Sequence, residues 1–490
     1  MQPTNKRLIE YFQDAVKEYG NKRYLFDEVS EYSYGEAYNE TIAVANELYG
    51  FGIKECSLVA LRTTRSIDSE IILTALQFLG ATVALFDPHS DIEESVKQNA
   101  FNPQYTISNE ESSRDIAANG GWIVKCDSGQ IYGLEVSRTP RKENLAFPAQ
   151  TDVKSPAVII FTSGSTGRSK GVVLTQYSYM NHVRHFCNEV IYDKDDIAIM
   201  VLPLNHVFGF SVVYTWFYSG CEIFFPKSTN PDYVADCIEK YKITRLDGVP
   251  SYALLMCEKK QKNSLGLKSL RSSLMGGAPL SPEQFGYIEK TLGIDIEPVY
   301  GMTECIAITA AGKRASFEKR ASGVGNFLAM CEGKILADGE ICVKAPSVMW
   351  GYWNDAKTTA EVVDADGFLH TGDLGYLDND GYLHVSGRKK DIIICNGTNI
   401  SAIEVENKIL GLKGIKDVAV FGLPDRIRGE IPVAAIVYRQ GANISYEELQ
   451  DMLCTVLNNL EIPKKIMILP ELPLTSSGKK DKQTLKKKFE

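Results

Sequence analysis

The sequence lacks the patterns that mark several special classes of protein. Its eleven cysteines form no CxxC pair and no CxxC…HxxxH series, so zinc-binding and thioredoxin-type functions find no support. Scattered cysteines of this kind are typical of reduced thiols in an intracellular protein. The longest apolar runs, such as residues 197–204, fall far short of the ~20 residues that a membrane-spanning helix needs. We therefore expect a cytoplasmic protein without a membrane span.

Positive charge is also scarce. The chain has 53 Lys and Arg against 62 Asp and Glu, a formal net charge of −9. A protein that grips nucleic acid needs many cationic contacts to phosphate, so a nucleic-acid partner is not expected. The net charge does not exclude a small polyanion bound at one local site. The first twenty residues mix charged and apolar side chains at helical spacing and show no signal-peptide core, in keeping with a cytoplasmic location.

The 490 residues, 44% of them hydrophobic, predict two to four compact units. Between residues 23 and 109, short β-branched runs alternate with amphipathic ones, which is typical of α/β layers with parallel strands. The clearest are strands at 57–63 and 82–87 and helices at 69–78 and 92–101. The pattern resumes after a polar, poorly periodic stretch at 112–152, with strands at 157–161, 171–175, 196–204, 222–225 and 272–275 and a helix at 176–189.

The texture of the chain changes after about residue 308. Short strands with glycine turns at 340–346, 367–377 and 381–387 predict a β-rich subdomain. The last hundred residues have an αβ pattern of their own, with helices at 403–410 and 446–459 and strands at 418–423 and 432–438. We therefore predict an α/β protein whose large N-terminal part ends near residues 387–390 and is followed by a small α+β domain.

The segment TSGSTGRSKG, residues 162–171, offers three glycines, five hydroxyls, one Arg and one Lys between two apolar strands. Glycine lets backbone N–H groups approach phosphate oxygens, hydroxyls add donors, and lysine adds a compact cation. A flexible Gly/Ser connector is the alternative, but a long linker is not expected between buried strands. The spacing does not match a Walker A loop, because no GK[ST] stands at the required offset.

This loop resembles the phosphate-binding signature of the adenylate-forming acid:thiol ligases, the superfamily of acyl- and aryl-CoA synthetases, firefly luciferase and peptide-synthetase adenylation domains. Seven further motifs follow in the order of that family: GGAPL (276–280), YGMTE (300–304), GEICVKAPSVMWGYW (339–353), HTGD (370–373), GRKKDIIICNGTNISAIEVE (387–406), GLPDRIRGE (422–430) and PLTSSGKKDK (473–482). The acyl- and aryl-CoA synthetases are the most similar branch. The resemblance implies an adenylation core at residues 1–387, a hinge at 388–390 and a mobile C-terminal lid at 391–490.

The resemblance also implies a reaction. ATP activates a carboxylic acid as acyl-AMP with release of pyrophosphate, and the acyl group then passes to the thiol of CoA with release of AMP. Mg²⁺ is the implied cofactor, and ATP and CoA are co-substrates. A nearby alternative is a ligase that loads the phosphopantetheine of an acyl carrier protein. An alternative of another class is a non-catalytic protein that binds a nucleotide or an acyl-adenylate, against which the retained Lys170, Glu304, Asp373, Arg388 and Lys479 argue.

The resemblance assigns ATP-binding roles to thirteen residues. Those implied to hold the β and γ phosphates are Thr162, Ser163, Gly164, Ser165, Thr166, Gly167 and Lys170. Those implied to enclose adenine are Gly276, Gly277, Ala278 and Tyr300, and those implied to hold ribose are Asp373 and Arg388.

It also assigns catalytic roles. Thr303 is implied to hold the α-phosphate and Glu304 to hold Mg²⁺, a hard cation that prefers oxygen ligands. Lys479 is implied to bridge the attacking carboxylate and the α-phosphate, where negative charge grows in the transition state. Local composition alone favours a solvated cationic tail around Lys479. Lys390 matches the hinge position, and Gly397 matches a small residue lining the pantetheine tunnel.

The acid pocket is implied by fewer residues. His206 matches a residue beside the acid carboxylate, and Phe208 matches a pocket wall, although both are also ordinary core residues. Gly301 stands where acetyl-specific members have a bulky Trp, so an acid larger than acetate should fit. No aspartate matches the one that binds an amino group in peptide-synthetase domains. We therefore expect an apolar aryl or medium-chain acyl acid.

The chain departs from the family pattern at Ser169, Asn205 and Ala402, where Pro, Phe and Pro are usual. More consequential, the segment at 323–343 is shorter than in typical members, as if a hairpin of the β-rich subdomain were missing. That difference leaves the oligomeric state and the docking of the lid open.

Overall fold

A computed structural model describes most of the chain: residues 2–87, 92–98, 101–109, 122–137, 139, 141–147, 152–162, 169–190, 192–263, 267–312, 315–439, 441–473 and 480–489. The helices are α1 (Leu8–Tyr19), α2 (Tyr34–Gly50), α3 (Ile67–Phe78), α4 (Ile92–Gln98), α5 (Gln176–Glu189), α6 (Val207–Tyr218), α7 (Pro231–Tyr241), α8 (Pro250–Asn263), α9 (Pro282–Leu292), α10 (Phe317–Ser322), α11 (Ala356–Val362), α12 (Ala402–Leu410), α13 (Tyr446–Val456) and α14 (Lys482–Phe489).

The strands are β1 (Arg23–Phe26), β2 (Glu31–Ser33), β3 (Leu58–Arg62), β4 (Thr82–Phe86), β5 (Tyr105–Ser108), β6 (Trp122–Cys126), β7 (Ile131–Leu134), β8 (Pro156–Thr162), β9 (Lys170–Thr175), β10 (Ile197–Ile199), β11 (Glu222–Phe224), β12 (Ser272–Met275), β13 (Asp295–Met302), β14 (Ile306–Ala310), β15 (Asn326–Phe327), β16 (Glu332–Ile335), β17 (Glu340–Lys344), β18 (Gly351–Tyr352), β19 (Leu369–Leu377), β20 (Leu383–Arg388), β21 (Ile392–Cys395), β22 (Thr398–Ser401), β23 (Ile415–Asp425), β24 (Gly429–Tyr438) and β25 (Lys465–Ile468). A 3-10 turn at Lys389–Asp391 separates β20 from β21.

The largest sheet has eight strands in the order β18-β9-β8-β4-β3-β5-β6-β7. Its central strands β5, β3, β4 and β8 run parallel, and antiparallel strands extend it on both sides. All five residues of β4 are buried, as expected of a central parallel strand that is covered on both faces. The carboxyl ends of β3, β4 and β8 meet at one edge, and the predicted phosphate loop leaves the sheet there.

Two four-stranded sheets, β10-β11-β1-β2 and β12-β13-β14-β15, are bridged through Arg245. The Arg245 guanidinium is fully buried and lies 3.2 Å from the carboxylate of Asp247 and 3.5 Å from that of Glu297. The indole of Trp216 donates to Asp247 at 2.9 Å. Because a buried charge without partners is very costly, this network couples the packing of the two sheets to one another.

The β-rich subdomain contains the antiparallel sheet β16-β17-β19-β20, where glycine-rich short strands were expected. Within the short segment 323–343, β16 pairs with β17 as a hairpin from Glu332↔Lys344 to Ile335↔Ile341. The C-terminal sheet has the order β22-β21-β24-β23, with β25 added beside β24. Apolar clusters cover both of its faces, one formed with α12 and α13 and the other with Leu485 of α14.

The strand and helix patterns are mostly located correctly. The polar, poorly periodic stretch at 112–152 contains β6 and β7, the last two strands at one side of the largest sheet. The strand expected at 196–204 ends at Ile199, because the chain turns there toward Pro203 and the start of α6. The domain boundary at 387 and the hinge at 388–390 stay predictions.

Among the described residues, no helix combines the length and apolarity required to cross a bilayer. All eleven cysteines are described, and each is a free thiol.

His182 in α5 gives a stability prediction. Burial lowers the pKa of its imidazole to about 3, with the neighbouring His185 adding to the effect. Below pH ~6.5 the unfolded chain binds a proton at His182 that the folded chain refuses, so this residue costs stability as the pH falls toward 3. The free energy of unfolding of wild type should fall by about 1.4 kcal/mol more per pH unit than that of His182→Phe. Urea titrations between pH 7 and 4.5 measure this difference, and parallel pH profiles would contradict it.

Candidate active site

The two ends of the predicted phosphate loop are held together. Thr162, the last residue of β8, pairs with Lys170, the first of β9. The Ser169 hydroxyl donates to the Thr162 carbonyl at 2.9 Å, and the Thr162 hydroxyl donates to the Lys170 carbonyl at 3.4 Å. The loop residues Ser163, Gly164, Ser165, Thr166 and Gly167 lie outside the described residues. The antiparallel pairing therefore presents Thr162 and Lys170 side by side at the mouth of the loop.

Lys170 is connected to the predicted magnesium ligand through Tyr352. The Lys170 ammonium lies 4.9 Å from the centre of the Tyr352 ring, and the Tyr352 hydroxyl donates to Glu304 Oε1 at 2.8 Å. Burial raises the pKa of Tyr352, and the Glu304 charge raises it further, so the phenol stays a proton donor. Lys170, Tyr352 and Glu304 thus form a phosphate-side group.

A second, nucleoside-side group forms around Asp373. The hydroxyl of Tyr300 donates to Asp373 Oδ2 at 2.8 Å, and Arg388 Nε lies 2.9 Å from Asp373 Oδ1. Asp373 and Arg388 are directly opposed on β19 and β20, and Tyr300 reaches them from β13. Burial, followed by the Asp373 charge, raises the pKa of Tyr300. The structure therefore brings together three residues that the sequence assigned separately to adenine and ribose.

The predicted adenine loop, Gly276, Gly277 and Ala278, directly follows β12. Strand β12 pairs in parallel with β13, so that Met275 lies opposite Pro298. The backbone of Gly276 lies against Val299, one residue before Tyr300. The loop is thus adjacent in space to the nucleoside-side group.

Gly301 and Thr303 lie where β13 turns into β14. A Cβ atom on Gly301 would come within 1.8 Å of the Ile306 carbonyl oxygen, so this hairpin accepts no side chain at position 301 without moving its backbone. Thr303 is nearly buried in the turn. The close backbone approach is a reason for Gly301 that is separate from the predicted pocket size.

His206 occupies the N-cap of α6. Its Nδ1 accepts from the backbone N–H of Phe208 at 3.2 Å, which leaves Nε2 as the nitrogen that carries the proton in the neutral ring. Phe208 is partly buried against the main core. The cap fixes the orientation of the His206 ring, and the roles of both residues toward an acid stay predictions.

The predicted hinge residue Lys390 lies within electrostatic reach of the site. Desolvation lowers the pKa of its ammonium, and the positive charges of Arg388 and Lys170 lower it further, while Asp373 opposes them. Three cations therefore gather near Asp373, an arrangement that favours a polyanionic ligand.

Gly397 and Lys479 belong to the predicted lid. Asn396 and Gly397 form the two-residue turn of the β21–β22 hairpin with φ of 52° and 77°, a conformation that suits Asn-Gly. A Cβ on Gly397 would meet no heavy atom within 4 Å. Glycine is therefore favoured here by the positive φ of the turn and not by a lack of space. Lys479 lies outside the described residues.

Two family profiles match separate parts of the chain. The profile described as AMP-binding enzyme matches residues 12–353, and that described as AMP-binding enzyme C-terminal domain matches residues 404–479.

The chain belongs to the AMP-binding enzyme family.

Curated relatives of this AMP-binding enzyme cover most of its length. The 2-succinylbenzoate–CoA ligase of Listeria monocytogenes is 31% identical over 489 residues, which cover 98% of this chain and 99% of that protein. The indoleacetate–CoA ligase of Aromatoleum aromaticum is 32% identical over 370 residues, which cover 73% of this chain and 70% of that protein.

Solved structures are similar as well. ATP-bound MatB of Rhodopseudomonas palustris has a TM-score of 0.85 at 26% identity and covers 98% of this chain and 99% of its own. The o-succinylbenzoate CoA synthetase of Bacillus subtilis in complex with its acyl-adenylate has a TM-score of 0.79 at 25% identity, covering 99% of this chain and 98% of its own.

These comparisons confirm the predicted adenylate-forming superfamily, the α/β fold with its C-terminal domain, and the class of AMP-forming acid–CoA ligase. They do not test the individual site residues, which stay predictions. Sequence reasoning missed Tyr352, although it stands in the motif GEICVKAPSVMWGYW. Its partner Glu304 is 48 residues away, and the two motifs also meet where the backbone N–H of Met349 donates to the Glu304 carbonyl at 2.7 Å.

Asp373 can be tested with ATP alone, before the acid is known. Asp373→Asn keeps the size of the side chain and removes the charge that organises Tyr300 and Arg388. Because hydrogen bonds to a charged group contribute roughly 1.5–3 kcal/mol, the affinity for ATP should fall at least about tenfold in titration calorimetry. Asp378→Asn, on the β19–β20 turn, is the matched control and should bind ATP as wild type does. Unchanged affinity in Asp373→Asn would remove Asp373 from the nucleoside site.

Proposed function

We propose that this AMP-binding enzyme activates an aromatic carboxylic acid and transfers it to CoA. The carrying observation is the full-length likeness to 2-succinylbenzoate–CoA ligase, with indoleacetate–CoA ligase as a second relative that acts on an aryl acid. Medium-chain acyl acids are the second candidate, since Gly301 leaves no bulky side chain at the position that shortens the pocket of acetyl-specific members.

In the first step a carboxylate oxygen bonds to the α-phosphorus of ATP, and pyrophosphate leaves with the electron pair of the broken P–O bond. In the second step the CoA thiolate bonds to the acyl carbon, and AMP leaves with the electron pair of the acyl–oxygen bond. Both steps concentrate negative charge on phosphate oxygens, so positioned cations and donors supply the catalysis.

The phosphate-side group suits the first step. In this proposal Thr162 and Lys170, with loop residues 163–167, bind the β and γ phosphates, and Thr303 binds the α-phosphate. Glu304 fits Mg²⁺, because it is a carboxylate that Tyr352 holds by one oxygen and that offers hard oxygen donors at the phosphate side of the cleft. When bound, Mg²⁺ neutralises charge on the phosphates.

The nucleoside-side group positions the rest of ATP. Gly276, Gly277, Ala278 and Tyr300 enclose adenine in this proposal. Asp373 accepts from the ribose hydroxyls, since a carboxylate has lone pairs left after the contacts to Tyr300 and Arg388.

The remaining roles belong to the acid and the lid. His206 and Phe208 line the acid side, and Lys479 stabilises the transition state of adenylation. The lid turns about Lys390 between the two steps, which brings Gly397 to the pantetheine arm. The cytoplasmic location stays a prediction.

The acceptor and the acid are tested together by pyrophosphate release. Purified enzyme is incubated with ATP, Mg²⁺ and a panel of aryl, medium-chain and short acids, with CoA, with a phosphopantetheinyl carrier protein, or with neither. We expect release with aryl acids and acyl-CoA formation by mass spectrometry. Acyl transfer only to the carrier protein would favour the carrier-loading ligase. No release with any acid would favour a non-catalytic nucleotide-binding protein.

Lys479→Ala should separate the two half-reactions. Losing a donor used only in the adenylation transition state should lower pyrophosphate release about 100-fold or more. Thioester formation from supplied acyl-adenylate and CoA should change little, because Lys479 then lies away from the cleft. Lys487→Ala, an exposed lysine of α14, is the matched control. Equal loss of both half-reactions would refute a lid with two working positions.

A further inference from the structure

Three potential metal ligands converge in the β-rich subdomain. Glu340 and Cys342 are two residues apart on β17, so their side chains share one face of the sheet. His370 on β19 is the direct register partner of Cys342. Cys342 is fully buried, Glu340 is nearly so, and His370 is partly exposed. One atom of each lies within 4.8 Å of the other two.

His370 Nδ1 contacts both other residues. It lies 3.5 Å from Cys342 Sγ, an ordinary distance for a contact to sulfur, and 3.4 Å from Glu340 Oε2, which is long for an N–H···O bond of roughly 2.7–3.2 Å. A single ring nitrogen carries at most one hydrogen, so it cannot donate fully to both. Tetrahedral zinc, with bonds of about 2.3 Å to sulfur and about 2.0–2.2 Å to nitrogen and oxygen, spaces S and N about 3.5 Å apart and N and O about 3.4 Å apart. The two spacings from His370 Nδ1 match those of ligands around one ion.

The second ring nitrogen of His370 lies near a carboxylate on the side away from Cys342. Nε2 is 3.6 Å from Asp364 Oδ2. Asp364 is itself held in place, since its Oδ1 accepts from the backbone N–H groups of Phe368 at 2.8 Å and Asp366 at 3.0 Å. A carboxylate behind a histidine orients the ring and favours the tautomer whose other nitrogen binds metal. The lone pair of Nδ1 then faces Cys342 and Glu340.

We propose that Glu340, Cys342 and His370 bind a zinc ion, with water as the fourth ligand. The thiolate and imidazole select zinc over magnesium, which prefers oxygen ligands alone. The site is therefore distinct from the proposed Mg²⁺ position at Glu304. A search of the sequence for CxxC and HxxxH spacing does not detect this site, because its ligands come from two adjacent strands rather than from one loop.

Lys389 competes with this ion. Its ammonium lies 3.2 Å from Glu340 Oε2, the oxygen that faces His370, and 2.7 Å from Asp338 Oδ2. A bound cation repels the ammonium and takes its place on Glu340, while Asp338 keeps Lys389 paired. Because Lys389 lies within the predicted hinge at 388–390, zinc and the hinge share one carboxylate oxygen.

Cobalt(II) provides the test, because it reports thiolate ligation by absorbance. Reduced, metal-free, full-length enzyme is titrated with Co²⁺ and then with Zn²⁺. We expect one Co²⁺ per chain, a sulfur-to-cobalt charge-transfer band, and its displacement by Zn²⁺. Cys342→Ser should abolish the band, and His370→Gln should weaken cobalt affinity at least about tenfold. The matched controls Cys237→Ser, in α7, and His384→Gln, on β20, should bind cobalt as wild type does.

Two further measurements of cobalt affinity distinguish metal binding from a purely structural role of these residues. Lys389→Gln removes the competing cation and should tighten cobalt binding several-fold. A thiol is mostly protonated below about pH 8, so the ion must displace its proton. Cobalt affinity should accordingly rise with pH, up to about tenfold per unit, between pH 6.5 and 8.

A wild-type enzyme without the charge-transfer band at millimolar Co²⁺ would overturn the proposal. So would a band that survives in Cys342→Ser. If circular dichroism shows that Cys342→Ser does not fold, His370→Gln and Lys389→Gln decide, since both side chains are partly exposed. Opposite changes in affinity support the site, and unchanged affinity in both refutes it. No acid substrate is needed, so the result does not depend on the proposed ligase function.

Discussion

The buried carboxylate of Asp373 is the constraint around which the predicted nucleotide site of this enzyme is arranged. Its side chain is only 6% exposed, and a carboxylate so far from water needs partners. It finds them in Tyr300 and Arg388, which come from two different sheets. The hydrogen bond from Tyr300 therefore fastens the sheet that contains β12 and β13 to the β-rich subdomain. A shift of one sheet against the other would break this bond, whereas Arg388, on the strand beside Asp373, would keep its contact.

Electrostatics explains how an acidic chain can hold a polyanion. Desolvation lowers the pKa of Lys390, and the positive charges of Arg388 and Lys170 lower it further. An anion bound beside these cations would offset their repulsion, so the local charge favours a polyanionic ligand. The net charge of −9 says nothing about this, because it sums the whole surface, whereas the ligand meets one cleft.

The local pattern of apolar and polar residues predicts those helices and strands whose bounds depend on burial alone. The helix expected at 176–189 and the strand expected at 272–275 have the bounds observed for α5 and β12, because their apolar residues match the period of one element. The same local pattern does not predict contacts between side chains that are distant in the sequence. The hydroxyl of Tyr352 reaches Glu304, and Cys342 faces His370, only because of strand register. Register depends on turns and bulges far from the residues it brings together, so no single window of sequence encodes it.

The C-terminal unit has apolar cores of its own. Its sheet buries an apolar cluster on each face. Its contacts to the core include Lys416 with Glu258 at 2.8 Å and Arg439 with Glu283 at 3.2 Å, pairs in which every side chain is at least 41% exposed. Exposed ion pairs contribute about 0–1 kcal/mol each, so exchanging them for water costs little. Rotation about the 3-10 turn at Lys389–Asp391 would thus leave both apolar clusters intact. The carboxylate that can restrain this turn is Glu340, since it accepts from Lys389, and through it the β-rich sheet is connected to the hinge.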